Sequence, residues 1–241
     1  MQTTPHLNTP RFTRSDAASS RGPREINADA VATATDPATG RAAFVVADGI
    51  GDHLLAARAA RLAAHTAATA AVQHGPAGGL LDAQRALRAE FDQKQADCVL
   101  VVAVLPPAGG QEETIDIAWV GDCRAYRWNG SVLHQITVDH SLAEFWRARG
   151  VPTAPRAEHV VIDSVRTASP LDLGHARIGA GPGRLLLCTD GVHKPLDLLH
   201  LRALLTGDRS TRDTAAAVVG TAHELGGTDN ATAVVIDRLW P

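Results

Sequence analysis

Apolar residues recur along the chain in two rhythms. Short runs rich in Val, Ile, Leu and Ala predict strands at 30–35, 41–47, 98–105, 115–120, 125–130, 132–137, 159–165, 184–189 and 231–239. Longer stretches predict helices at 53–75, 79–93, 141–150 and 210–227, the last opening on Ser-Thr and closing on Gly-Gly, residues that start and stop helices. An Asn-Gly pair between 125–128 and 131–137 is a hairpin signal, so antiparallel pairing is expected. Helices fall between groups of strands instead of after each one. That order favours antiparallel sheets with helices outside them over a doubly wound parallel sheet. Residues 1–20, rich in Thr, Ser, Pro and Arg with no apolar period, read as a flexible N-terminal tail, leaving 21–241 as one domain.

Composition narrows the picture. The 241 residues are 45% hydrophobic, enough for a sizeable core. The 26 acidic and 23 basic residues give a net charge of -3, which offers no general attraction to nucleic acid or an anionic membrane surface. No stretch has the apolar length of a membrane span or the pattern of a secretory leader, so a cytoplasmic protein is expected. Cys98, Cys123 and Cys188 are odd in number, far apart and set in apolar runs, which predicts buried thiols.

Four aspartates interrupt this pattern at places where a charge is costly. Asp48 ends the apolar run in FVVADGIGDH, Asp122 ends that in IAWVGDCRAYRW and Asp190 that in RLLLCTDGVHKPL, while Asp229 precedes the run in GGTDNATAVVI. An ionised carboxylate in such surroundings costs several kcal/mol unless paired or bound to metal. One Asp-Gly pair is an ordinary turn. Four, with only two lysines in the chain, point to a hard divalent cation such as Mg²⁺ or Mn²⁺, which prefers oxygen ligands. Three rival sites lack their strings: there is no Asp-x-Asp-x-Thr, no loop ending Gly-Lys-Ser/Thr, and the GIG at 49–51 meets Leu54 where a dinucleotide loop needs its third glycine.

Taken in order, these four blocks, with RGPREINADA at 21–30 and ITVDHSL at 136–142, resemble the type 2C family of metal-dependent serine/threonine phosphatases. The resemblance implies an α+β fold, a four-layer α-β-β-α sandwich of two antiparallel sheets flanked by helices. It implies two Mg²⁺ or Mn²⁺ ions held by Asp48, the Gly49 carbonyl, Asp190 and Asp229, with Asp29 on metal-bound water. Asp122 matches a ligand of the third, weaker metal site of some members, and Arg24 the arginine that grips the substrate phosphate. Partners would be phosphorylated proteins that are substrates of a serine/threonine kinase. A water between two ions about 3.5–4 Å apart would attack phosphorus in line. His53 is the nearest candidate acid for the leaving serine or threonine oxygen.

The bland readings stand beside these: Asn27 and Asn230 as holders of turns, Asp139 and His140 as a structural turn, Trp119, Trp128 and Trp146 as packing. Departures from the family pattern are Ala28 for Glu or Gln, Asp52 for Gly, Cys123 for Ser, and ADCVLVV in place of Gly-Thr-Thr. Ala28 and Asp52 support the alternative of a catalytically weak domain serving as a regulatory or phosphoprotein-binding module. The irregular segment 141–180 is expected to form a flap where substrate choice resides.

Overall fold

The run CVLVVAVL is buried at every position, which an antiparallel strand permits only when both faces of its sheet are covered. The computed structural model, which describes residues 13–107 and 114–238, shows what covers them. The elements are β1 (Thr13–Ser20), β2 (Asp29–Thr35), β3 (Ala42–Gly49), α1 (Leu54–Glu90), β4 (Cys98–Leu105), β5 (Thr114–Val120), β6 (Arg124–Trp128), β7 (Leu133–Gln135), α2 (Leu142–Arg147), a 3₁₀ turn (Pro155–His159), β8 (Gly174–Gly179), β9 (Gly183–Cys188), α3 (Asp190–His193), α4 (Leu198–Leu205), α5 (Thr211–Glu224) and β10 (Ala231–Arg238).

Two antiparallel sheets result, ordered β2-β3-β4-β5-β8 and β1-β10-β9-β6-β7. Strand alternation divides each apolar run between two cores. Phe44, Val46, Val99 and Val101 meet Leu185, Leu187, Val234 and Ile236 between the sheets. Val45, Ala47, Leu100 and Val102 face α1, while Leu186, Val235 and Ala233 face α4 and α5. Layers therefore run helix, sheet, sheet, helix, as the family resemblance implies. The α1 face that meets the sheet carries Ala59, Ala60, Ala63, Ala64, Ala67, Ala68 and Ala71, small side chains that let helix and sheet approach closely. Among the described residues no helix is long and apolar enough to cross a membrane.

Several expectations need correcting. Residues 13–20, placed in the tail, form β1, an edge strand paired with β10 from Thr13↔Arg238 to Ser20↔Ala231. Its inward positions are Thr13, Ser15 and Ala18, too small and polar to show an apolar rhythm; residues 1–12 lie outside the described ones. The strand expected at 159–165 reduces to one bridge, Ser141↔Val161, because Val160 and Ile162 stay exposed. The strand that pairs with β5 at the sheet's edge is instead β8, which alternates half-buried and exposed with few apolar residues. The two helices expected at 53–75 and 79–93 are present as the two arms of α1, broken at Gly75, whose positive φ of 74° ends the first just before Pro76 starts the second, three residues earlier than expected.

What matters for the site is where strands end. The C-termini of β3 and β9, the N-termini of β2 and β10 and the β5–β6 turn lie at one end of the sandwich. Each carries one of the aspartates singled out above.

Candidate functional site

Asp29 and Asp48 are direct partners in the β2–β3 ladder, so their side chains share one face of the sheet. Asp190 opens α3 immediately after β9, and Asp229 immediately precedes β10. Together with Arg24, Asp52 and Asp122, three of these aspartates line a cleft of about 230 Å³: Asp48, Asp190 and Asp229. Asp29 stands just behind them, its Oδ2 accepting from the Thr189 hydroxyl at 2.9 Å and its Oδ1 buried with no hydrogen bond among the described residues.

Burial and mutual repulsion set the electrostatics. Burial pushes Asp29 up to about 7, with Asp190 and Asp229 adding to the rise. Asp48 is driven well above the carboxylate range by burial first and then by Asp29, Asp190, Asp122 and Asp229. Asp122 is pushed up to about 6 by burial and Asp190. Asp190 is the exception: burial acts to raise it, yet the Lys194 ammonium outweighs burial and holds it low. Five carboxyls thus compete for positive charge at one place, and an oxygen-seeking cation would relieve all of them.

Among the described residues no three acidic or histidine side chains enclose a point that could hold an ion. Asp190 is drawn to Lys194 and Asp229 to Arg24. A caged site is not what Mg²⁺ or Mn²⁺ requires, since such ions commonly keep several waters and bind through one or two carboxylates. The donor set of carboxylates, and the buried Asp29 oxygen left unbonded beside Asp48 in the ladder, fit hard divalent ions.

Close backbone approach shapes the cleft walls. A Cβ on Gly49 would lie 2.6 Å from the Ala56 carbonyl, and one on Gly191 would lie 1.9 Å from that of Asn230, so glycine must follow both aspartates. The next residue, Ile50, donates its N–H to the Asp97 carbonyl at 3.0 Å.

Arg24 rides on the loop between β1 and β2. Its Nη2 donates to Asp229 at 2.8 Å and its Nη1 stands 4.0 Å from Asp52. Asn230 holds that loop by three hydrogen bonds: it accepts from the Ala28 N–H and donates to the Arg21 and Ile26 carbonyls. Asn27 adds bonds to Ser19 and the Asp29 N–H. Asp139 holds Arg124 through paired bonds at 2.8 and 2.7 Å, and the His140 N–H donates to the Gly121 carbonyl, bracing the turn that presents Asp122.

His53 is placed differently from the rest. It is the N-cap of α1, its Nδ1 accepting from the Ala56 N–H at 3.0 Å, and it does not line the cleft. Two residues outside the expected set of site residues do touch the site. His193, kept neutral by burial with its pKa lowered to about 4, donates from Nε2 to the Asp122 carbonyl at 2.9 Å. Lys194 contacts Asp190 and stands 3.6 Å from Asp122. The signal for Lys194 was in plain view, a scarce lysine four residues after a candidate ligand. The three cysteines are buried and free, as expected.

No family model matches the chain. Among curated proteins it resembles the serine/threonine phosphatase stp of Listeria monocytogenes serotype 4b, 25% identical over 155 residues that make up 62% of this chain. It also resembles the protein phosphatase PhpP of Streptococcus pneumoniae serotype 2, 29% identical over 49% of this chain and 51% of that protein. The match spans 60% of the Listeria relative's length. Among solved structures, PppA, described as a key regulatory component of T6SS in Pseudomonas aeruginosa, superposes with a TM-score of 0.79 at 27% identity, over 96% of this chain and 100% of that one. The catalytic domain of the serine threonine protein phosphatase PstP, solved with two manganese ions, gives 0.76 at 22% identity over 94% and 98%.

Proposed function

We propose that this chain is a phosphatase of the bacterial type 2C serine/threonine kind, which hydrolyses phosphoserine and phosphothreonine in proteins with two Mg²⁺ or Mn²⁺ ions at the cleft. The observation that carries the reading is the convergence of Asp29, Asp48, Asp122, Asp190 and Asp229, from five separate segments, on one end of the sandwich, where burial and repulsion oppose the ionisation of Asp29, Asp48 and Asp122. The two manganese ions of the PstP neighbour support it.

Asp48, Asp190, Asp229 and the Gly49 carbonyl would hold the ions. Bound there, divalent cations neutralise a phosphate dianion and bring the pKa of water towards neutrality. The chain's own residues do the rest. Asp29, laddered directly opposite Asp48 and with one buried oxygen unbonded among the described residues, would accept a hydrogen bond from a water held beside Asp48 and so orient it. Arg24 offers its planar fork to the equatorial phosphate oxygens, which compete with Asp229 and Asp52 for it. His53 fixes the first turn of α1 and thereby the Gly49–Gly51 loop beside it. The cleft is open to solvent at Asp52 and Asp229, which suits a phosphorylated side chain projecting from a protein surface.

The test is turnover of p-nitrophenyl phosphate and of a phosphothreonine peptide, with Mn²⁺ and with EDTA. Expected is metal-dependent release of phosphate that Asp48→Asn and Asp229→Asn abolish while the circular dichroism spectrum is unchanged. Wild-type rates in Asp229→Asn would refute the assignment. A second reading, a weakly catalytic phosphoprotein-binding module, draws on Arg24 being engaged by both Asp229 and Asp52. Peptide binding without phosphate release would favour it.

A further inference from the structure

We propose that the Lys194 ammonium is a built-in counter-ion for Asp122, standing where a third cation would otherwise sit, so that this chain takes up two divalent ions and none at Asp122. The inference rests on the reading of the cleft given under Proposed function.

Asp122 is held on the β5–β6 turn with its side chain 5% exposed, beside Asp190. Such a carboxylate needs a cation. Lys194 supplies one: its Nζ lies 3.6 Å from the Asp122 Oδ2 and in contact with Asp190. The backbone leaves it little choice, because the Lys194 N–H donates to the Asp190 carbonyl at 2.9 Å and closes the turn of α3. A side chain at that position leans back over the preceding turn, towards Asp190 and the cleft. Its neighbour His193 fixes the other end of Asp122 through the carbonyl. Two consecutive residues therefore hold Asp122, one by its backbone and one by its charge.

The choice of lysine matters. Of the chain's 23 basic residues only Lys94 and Lys194 are lysines. An ammonium is a compact point charge with three donors that can serve two carboxylates from one spot, as a metal ion would, whereas a guanidinium is a plane that pairs best with one carboxylate edge-on. A divalent ion coming to Asp122 would have to displace that ammonium.

The experiment counts bound Mn²⁺ on the full chain, by electron paramagnetic resonance of the free ion and by calorimetry. Wild type is expected to bind two ions, and Asp122→Asn to bind the same two. Lys194→Met is expected to gain a third ion, about tenfold weaker than the others, which the double variant Lys194→Met/Asp122→Asn loses. Lys194→Gln serves if the Met variant does not fold. Three ions in wild type with the third lost in Asp122→Asn, or two in a folded Lys194→Met, overturns the counter-ion role alone. No ion in wild type overturns both this inference and the function it rests on.

Discussion

At the scale of single residues, the site contrasts groups held by many bonds with groups held by few. Arg24 is the clearest case, for its guanidinium lies between Asp229 and the unusual Asp52. Asp52→Gly removes one competitor for that fork, and the KM for phosphopeptide is expected to fall several-fold with kcat within about twofold; Arg24→Ala should chiefly raise KM. Steady-state kinetics on both variants checks the pair, and an unchanged KM in each would remove Arg24 from phosphate binding. His53 tests the line between cap and acid. Asn can cap a helix and cannot donate a proton as imidazolium does, so His53→Asn should keep kcat, while His53→Ala loses about 1 kcal/mol of stability. A hundredfold fall in kcat for the Asn variant at an unchanged melting temperature would restore His53 as the acid. That histidine shows a limit of sequence reading, since nearness to Asp48 along the chain said nothing of which way the ring turns.

Elements place these residues, and the loop between β1 and β2 is the one most dependent on a partner far away in sequence. Asn230 at the start of β10 satisfies three of its backbone groups. Asn230→Ala leaves those groups without their partner, and a loss of about 2–3 kcal/mol is expected together with a raised KM, because Arg24 shifts with its loop. Urea unfolding with kinetics on the same preparation checks it; lost stability with an unaltered KM would mean that the loop does not position Arg24. The motif around Asn230 was legible as a turn holder. Its grip on residues 21–28 was not, because a hydrogen bond across two hundred residues leaves no local spacing. β1 escaped for a related reason: Thr13 and Ser15 face inward on the strength of the ladder with β10 rather than of any apolar pattern.

For the whole molecule, the clustered carboxyls couple folding, protons and metal. Asp29 and Asp122, raised from 3.8 to about 7 and about 6, keep protons in the folded state that the unfolded chain has released. Where the folded state binds more protons, stability falls as pH rises, here across about pH 4 to 7. Divalent ions bind the ionised carboxylates, so Mn²⁺ should raise the melting temperature little at about pH 5.5 and far more at about pH 8. Thermal melts with and without Mn²⁺ at both values check this, and equal shifts would show that ion binding at Asp48 is not linked to the protons on it and its neighbours. The amino-acid sequence by itself determined the layers, since strand-length runs that are apolar at every position can only be satisfied in sheets covered on both faces, and it marked which aspartates lay at strand ends. Only the tertiary structure decided their company: Lys194 against Asp122, His193 on its carbonyl, His53 turned to a helix end and Asp29 left with an unbonded oxygen. Those outcomes depend on distances between segments remote in the chain, and a linear pattern encodes burial far better than it encodes which distant partner a polar group will meet.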